Sequence, residues 1–236
     1  MKNLPDYISI IFIIITLIPV YFFYAASHRS KRVLIVLVSW LAIQAAIGLS
    51  GFYTVTNTIP PRFLLTIVPP LLLIFILFVT PKGRVFIDGL DKKMLTLLHV
   101  VRIPVELVLL GLFINKTIPQ IMTFEGRNFD ILSGITAPVI YYIAFRKQAR
   151  SKTALLLWNF ICLGLLINIV TTAVLSAPFP FQKLAFDQPN IAVLYFPFIW
   201  LPACIVPLVL FAHLVVIRQI LHEPKNYKSH QTIVAG

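Results

Sequence analysis

The amino-acid sequence predicts an all-α, polytopic membrane protein that is built as a seven-transmembrane-helix bundle. Of its 236 residues, 59% are hydrophobic and 12% are charged, whereas soluble domains have roughly 45–50% apolar and 25% charged residues. The mean hydropathy of +0.92 indicates the same class. The formal net charge of +12 lies in short clusters between apolar runs, so it indicates membrane topology, and we expect no nucleic-acid partner.

Seven apolar runs are long enough to cross a hydrocarbon core of about 30 Å, which requires around 20 helical residues. The fifth run is short, and the seventh is long enough to tilt, bend or protrude. We expect one transmembrane domain over residues 1–221 and a short cytoplasmic tail over residues 222–236, which cannot bury a core of its own. The predicted helices span about residues 7–26, 33–53, 62–80, 94–114, 129–145, 154–176 and 191–218.

Lysines and arginines are divided unequally between the two sets of loops, which predicts the orientation of the bundle. Fourteen lie after helices 1, 3, 5 and 7, and five lie in the N-terminus and the remaining loops. Because cytoplasmic loops carry the excess of positive charge, the N-terminus is predicted outside and the C-terminus in the cytoplasm. The basic cluster after the first run also indicates a retained anchor rather than a cleaved signal peptide.

The fourth predicted helix contains the segment LHVVRIPVEL, residues 98–107, which places charged side chains near the middle of the bilayer. At about 100° per residue, His99, Arg102 and Glu106 fall within about 60° of one another and form one polar stripe. A charge at this depth costs about 2.5–3.5 kcal/mol on insertion scales. The stripe is therefore expected to face other helices or water, and its members are candidate binding residues.

This stripe has a structural and a functional interpretation, which are not exclusive. In the structural one, Arg102 and Glu106 neutralise each other at a spacing of four residues. The Arg102 guanidinium then also bonds the Val100 carbonyl, which Pro104 leaves without a donor. In the functional one, the pair lines a path for a solute or a proton, with Glu106 exchanging the proton and Arg102 tuning it or holding an anionic group.

Other polar residues lie at a similar depth in helices 2 and 6. Gln44, Asn159 and Asn168 can each bridge two helices by a hydrogen bond, which is the simpler interpretation. If several of them meet the stripe of helix 4, they build one polar site. Gln44 and Asn168 are closest to the depth of Glu106, so we add these two to the candidate binding residues.

The outer loop MTFEGRNFD, residues 122–130, is a candidate outer gate formed by Glu125, Arg127 and Asp130. Charges near an aqueous face are most often solvated surface groups. The alternative is a structured lid, because two phenylalanines can dip into the bundle and Gly126 allows a turn. In that arrangement Asp130 can cap helix 5.

Helix 7 carries Pro197, Pro202 and Pro207 at intervals of five residues. Each proline removes a backbone donor and bends a helix. The pattern predicts either a kinked packing helix or a broken helix that lines a site.

No resident cofactor and no metal site are expected. The sequence has no HExxH, GxSxG or P-loop motif and no acidic cluster with metal spacing, which favours a role other than catalysis. His99 and His213 share a predicted depth from which they could ligate one iron, so haem b is the minor alternative. Cys162 and Cys204 lie within apolar runs and predict buried packing residues.

Four segments between residues 102 and 198 carry a resemblance: RIPVE, TFEGRNFDI, LLLWNF and FDQPNIAVLYFPF. They are similar to segments of uncharacterised seven-helix inner-membrane proteins of Bacteroidota-type bacteria. The resemblance implies a multi-pass protein of the cell inner membrane and implies no activity.

The leading hypothesis is that the protein binds or translocates a small polar solute or a proton at a site built on Arg102 and Glu106. One alternative is a membrane-embedded enzyme or haem protein that acts on a lipid or quinone. Another is a sensory or assembly protein whose polar residues only join helices, which requires an unidentified membrane or cytoplasmic partner. The lipid bilayer is the expected environment in each case.

Overall fold

The structure is a computed structural model that describes residues 4–146 and 151–222, and this part of the chain contains no β-strand. Its α-helices are α1 (Asp6–Ala26), α2 (Lys31–Leu49), α3 (Leu64–Val79), α4 (Pro81–Asp88), α5 (Lys92–Leu98), α6 (Arg102–Ile114), α7 (Ile131–Phe145), α8 (Lys152–Leu175) and α9 (Val206–His222). Short 3-10 turns cover Phe52–Thr54, His99–Val101, Gln120–Met122 and Ala192–Leu194, and a π-helical segment covers Leu201–Ile205. The predicted all-α class is confirmed.

Five described helical stretches are long and apolar enough to cross a membrane: Asp6–Ala26, Lys31–Leu49, Lys92–Ile114, Lys152–Leu175 and Leu201–His222. A sixth is formed if α3 and α4 count as one span, although a bend of 94° separates them. Apolar α7 has 15 residues and is shorter than these stretches. The helices are therefore typical of a membrane-spanning protein, while the number seven and the orientation stay predictions.

Each predicted helix has a counterpart in the structure, but three boundaries were wrong. Helix 7 continues to His222, four residues beyond its predicted end. Helix 2 ends at Leu49 rather than residue 53, because the chain turns at Gly51, whose φ of 74° is left-handed. Helix 7 begins at Leu201 rather than residue 191. The ten residues before it contain a 3-10 turn, and Pro197 lacks the N–H group that a regular helix requires there. The predicted tail lies almost wholly outside the described residues, as do Lys147 and Arg150 of the charge count.

Pro104 and Pro207 each leave one backbone carbonyl without its helical hydrogen-bond donor. Pro104 cannot donate to the Val100 carbonyl, and the preceding residues His99–Val101 form a tighter 3-10 turn that joins α5 to α6. Pro207 cannot donate to the Ala203 carbonyl, and the indole Nε1 of Trp40 donates to that oxygen instead, at 2.8 Å. A side chain of α2 thus satisfies the backbone group that the proline leaves free.

The core lies where α9 packs on α5 and α8, with α1 on the other side of α5. Of the long apolar stretches, the one containing α9 is the most buried at 61%, and α2 is the least buried at 17%. Helix α2 is therefore peripheral, whereas α5, α6 and α9 form the interior against which α7 and α8 pack. Polar side chains near the middle of these helices, such as Arg102, Glu106 and His213, are buried.

Helix α4 folds back against the last turns of α9 and forms what we call the α4–α9 contact. The amide of Gln219 donates to the carbonyls of Ile87 and Leu90, at 2.8 and 2.9 Å. Arg218 forms an ion pair with Asp88 beside these bonds. The bend between α3 and α4 is thus held by groups at the predicted cytoplasmic end of the bundle.

Candidate functional site

A group of buried polar side chains lies between α6, α7, α8 and α9, and we call it the Arg102 cluster. Every member is at most 6% exposed, and polar groups so buried are expected to be hydrogen-bonded or paired. The members are His99, Arg102, Glu106, Asn128, Asp130, Asn159 and His213.

The guanidinium of Arg102 connects three other elements of the fold. Its Nη1 donates to Asp130 Oδ1 at 2.5 Å, and its Nη2 donates to His213 Nε2 at 3.0 Å. A longer bond of 3.4 Å joins Nη1 to the carbonyl of Cys162. The charge of Arg102 is therefore balanced by Asp130, from the loop before α7, rather than by Glu106 on its own helix.

This pairing corrects the predicted self-neutralising pair of Arg102 and Glu106. The two helices α6 and α7 approach closely at Gly134, where an added Cβ would lie 2.8 Å from Ile103 Cγ1 and 3.3 Å from Arg102 Cβ. That approach brings the start of α7, and with it Asp130, against the base of the Arg102 side chain. The guanidinium also makes no hydrogen bond to the Val100 carbonyl in the described structure; its bonds are to Asp130, His213 and the Cys162 carbonyl.

The ring of His213 has a defined tautomer. A guanidinium has only donors, so His213 Nε2 must accept the bond from Arg102 Nη2. Its Nδ1 then donates to Asn159 Oδ1 at 2.8 Å, and Asn159 Nδ2 donates to the Leu155 carbonyl, which orients the amide. The ring is consequently neutral, and it continues the hydrogen-bond network from Asp130 through Arg102 to α8.

Glu106 is held from the loop side by Asn128. Asn128 Nδ2 donates to Glu106 Oε1 at 2.6 Å and to the Met122 carbonyl at 3.0 Å, while its Oδ1 accepts the backbone N–H of Asp130. The other carboxyl oxygen, Oε2, has no partner among the described residues, and the same is true of Arg102 Nε. Glu106 is therefore a buried acid, 2% exposed, whose nearest arginine is already paired.

The outer loop packs partly into the bundle, but its three predicted gate residues do not lie in the same environment. Asp130 is buried and joins the Arg102 cluster, whereas Glu125 and Arg127 are exposed. The predicted cap by Asp130 was wrong, since its carboxylate makes no capping bond and is used by Arg102. Gly126 allows the loop to close, because an added Cβ would lie 2.3 Å from the Gln120 carbonyl oxygen.

Two predicted neighbours lie elsewhere. Gln44 is buried, but its Oε1 accepts from Tyr53 Oη at 2.7 Å. Asn168 is exposed, and its Nδ2 donates to the backbone carbonyl of Arg127. In the described chain neither bonds to the cluster. Asn159, which the sequence identified only as a possible bridge between helices, joins the cluster through His213. Asn128 was not predicted as a member, although it stands two residues before Asp130 in a loop already singled out.

His99 and His213 are stacked, with ring centroids 3.9 Å apart and planes inclined by 20°. Axial histidines of a haem must lie on opposite sides of the macrocycle, and rings in face contact leave no space for it. Both nitrogens of His213 are also engaged. The pair does not fit haem b, and the described residues contain no group of three His, Cys, Asp or Glu placed for a metal ion.

An elongated cavity of about 250 Å³ borders the cluster. Arg102, Glu106 and Asp130 line it at one end. Most of its remaining wall is apolar and comes from α3, α8, the π-helical segment and α9. The cluster is therefore not closed by side chains on all sides, and its charged members border space that a ligand can occupy.

Comparison with known proteins identifies a family. The family model described as Domain of unknown function (DUF8737) matches residues 59–221, which include every member of the Arg102 cluster. No curated protein and no solved structure matches the chain.

Proposed function

The chain belongs to the DUF8737 family of unknown function, and we propose that it binds or translocates a proton or a small polar group at the Arg102 cluster. Glu106 is the residue that exchanges the proton. The observation that carries this proposal is the buried Glu106 carboxyl, which borders the cavity and has one oxygen without a partner.

The charges of the cluster support proton exchange at Glu106. Asp130 balances Arg102, and His213 is neutral by its hydrogen bonds. An ionised Glu106 would therefore be an additional, uncompensated charge, and each buried ion costs several kcal/mol in real proteins. Taking up a proton removes that cost, so the protonation of Glu106 depends on what occupies the cavity beside it.

The arrangement of titratable groups supports movement of a proton as well as its binding. From the predicted cytoplasmic side outward, the cluster contains stacked histidines, the Arg102–Asp130 pair and Glu106 with Asn128. Chains of histidine and carboxyl groups inside a membrane commonly mark proton pathways. Both nitrogens of His99 are without a partner among the described residues, which leaves that ring free to change tautomer.

Infrared difference spectra of the protein reconstituted in lipid test the proton exchange directly. Spectra taken between about pH 5 and pH 8 are expected to show a carboxyl band that disappears in Glu106→Gln. The matched control is Glu125→Gln, at an exposed position of the neighbouring loop, which should keep the band. Spectra without any band specific to Glu106 would contradict the proposal.

Proton flux in proteoliposomes separates translocation from binding. With a pH-sensitive dye inside and a potassium diffusion potential, the protein should carry protons faster than protein-free vesicles do. Glu106→Gln should return the flux to background, and Glu125→Gln should not. A sensory or assembly protein with purely structural polar residues would show neither flux nor the Glu106 band.

We further infer seven spans, with the N-terminus outside and the C-terminus in the cytoplasm of the cell inner membrane. The count includes α7, whose 15 residues reach about 22 Å at 1.5 Å each, extended by the partly buried loop before it. Single cysteines placed at exposed Lys116 and Lys82 test the orientation. An impermeant thiol reagent should label the first from outside and the second only after lysis.

A further inference from the structure

The cavity beside the Arg102 cluster opens on the outer apolar surface between α3 and α8. Leu71 of α3 and Ile167 of α8 both line the cavity, and they are 40% and 57% exposed. Helix α3 packs on the π-helical segment and α9, and α8 packs on α7 and α9. The opening thus faces the region that lipid chains occupy in a membrane-spanning protein.

The inner end of the cavity has unused hydrogen-bonding capacity. Arg102 Nε and Glu106 Oε2 are buried without a partner, and both side chains line the cavity. Arg102 Nε can only donate, and the protonated Glu106 carboxyl can also donate. Two donors at one end of an apolar cavity match an oxygen atom that accepts hydrogen bonds.

The size of the cavity restricts what fits inside. Its volume of about 250 Å³ is slightly below the roughly 300–1,000 Å³ that ligand pockets commonly measure. A whole lipid is larger than this, but a polar head with the first carbons of a chain is not. The rest of such a molecule must extend through the opening between α3 and α8.

We propose that this cavity binds an amphiphile whose head carries an acceptor oxygen, as in a carboxyl group or a quinone carbonyl. The head contacts Arg102 and Glu106, and the apolar tail leaves between Leu71 and Ile167 into the bilayer. This inference rests on the proposed function, because it takes the cluster to be a binding site, and it specifies the class of molecule bound. Entry is lateral, from the lipid phase.

The test uses a fatty acid with a photoreactive diazirine near its carboxyl end, added to phosphatidylcholine vesicles that hold the full-length protein. After illumination, labelled peptides are identified by mass spectrometry. Labels are expected on the parts of α6 and α8 that line the cavity. The double variant Leu71→Trp with Ile167→Trp narrows the opening and should reduce this labelling by about tenfold.

A matched double variant controls for the added tryptophans. Ile76 on α3 and Ile161 on α8 are 44% and 56% exposed and do not line the cavity, so Ile76→Trp with Ile161→Trp should leave labelling unchanged. Equal melting temperatures of both double variants and the wild type show that the fold is kept. Labelling that is insensitive to tryptophans at the opening would overturn the inference.

Competition identifies the head group. Excess unlabelled fatty acid or excess prenylated benzoquinone should suppress the labelling, and whichever suppresses it more strongly identifies the head as an acid or a quinone. Hexadecane, which has no polar head group, should not suppress the labelling. Equal suppression by hexadecane would show that the cavity holds any chain and would overturn the inference.

The two proposals can fail separately. If the Glu106 infrared band is present but labelling does not depend on the opening, the inference fails and the proposed function stands. If labelling follows the opening but no Glu106 band exists, the cavity binds amphiphiles and the proton exchange at Glu106 is wrong.

Discussion

Within the described residues, two arginine–aspartate pairs join distant segments in very different surroundings. Arg218 and Asp88 meet in the α4–α9 contact through two bonds, from Nε to Oδ1 at 3.0 Å and from Nη2 to Oδ2 at 3.1 Å. Arg102 and Asp130 meet through one bond inside the bundle. The side chains of the first pair are 19% and 47% exposed, and those of the second are 3% and 8% exposed.

Geometry alone would rank the bidentate outer pair as the stronger one. Burial reverses the expected cost of breaking the pair. Removing one partner of an exposed pair costs about 0–1 kcal/mol, whereas removing one partner of a buried pair costs about 3–5 kcal/mol, because the other charge stays buried and unpaired. The consequence of breaking each ion pair is therefore set by the desolvation of its charges.

Asp130→Asn is expected to have the largest effect, a loss of about 3–5 kcal/mol of unfolding free energy, because Arg102 keeps its charge without a counter-ion. Thermal melting of the detergent-purified protein measures it. The control is Asp130→Leu with Arg102→Met, which removes both charges and should recover most of the loss. If Asp130→Asn and the wild type have the same melting temperature, Arg102 does not depend on Asp130 as its counter-ion.

Gly134→Ala should cost about 1–3 kcal/mol, because the added methyl group crowds Ile103 and pushes α7 away from Arg102. The matched control is Gly164→Ala on α8, where an added Cβ meets nothing within 4 Å, and which should raise helix stability by up to about 1 kcal/mol. The melting temperatures of the two alanine variants, measured under the same conditions, test this prediction. Similar shifts in both would mean that the close approach at Gly134 does not position Asp130.

Glu106→Gln should leave stability unchanged or raise it by up to about 1 kcal/mol, in contrast to Asp130→Asn. Both are amide replacements of buried acids, but the ion pair of Arg102 is with Asp130 and not with Glu106, and functional groups are often retained at a cost to stability. The two variants are compared by melting under the same conditions. A loss as large as that of Asp130→Asn would show that Glu106 is a paired, structural charge.

Asp88→Asn should also have a small effect, a loss of about 0–1 kcal/mol, because solvent screens the Arg218 pair. The difference from the wild type should shrink further in high salt, where exposed charges interact less. Melting at two ionic strengths checks both statements. A loss above about 2 kcal/mol, insensitive to salt, would place this pair in the buried class.

Sequence reasoning identified the members of the helix 4 stripe and their burial, since a charge within an apolar run is visible without a structure. It did not identify the partner of Arg102. Glu106, at a spacing of four residues, was the local choice, whereas the structure selects Asp130, 28 residues away. It also placed Gln44 and Asn168 by depth alone, and depth does not say which direction a residue faces around its helix.

The prolines of helix 7 likewise predicted a local backbone feature but not its tertiary partner. Pro197, Pro202 and Pro207 predicted an irregular helix 7, and the structure has a π-helical segment at Leu201–Ile205 and a late start of the helix. The satisfaction of the Ala203 carbonyl by Trp40 was not predictable, because it depends on how α2 lies against a segment 163 residues further along the chain.

By itself the sequence determined the helical, membrane-like class, the approximate position of each helix and the presence of a buried charged stripe. These follow from composition and periodicity, because a long apolar segment can satisfy its backbone in lipid by forming a helix. The tertiary structure decided which aspartate balances Arg102, which acid stays unpaired and where the cavity opens. Those outcomes depend on the rotation and close approach of helices, such as α6 and α7 at Gly134, which residue spacing along one chain does not encode.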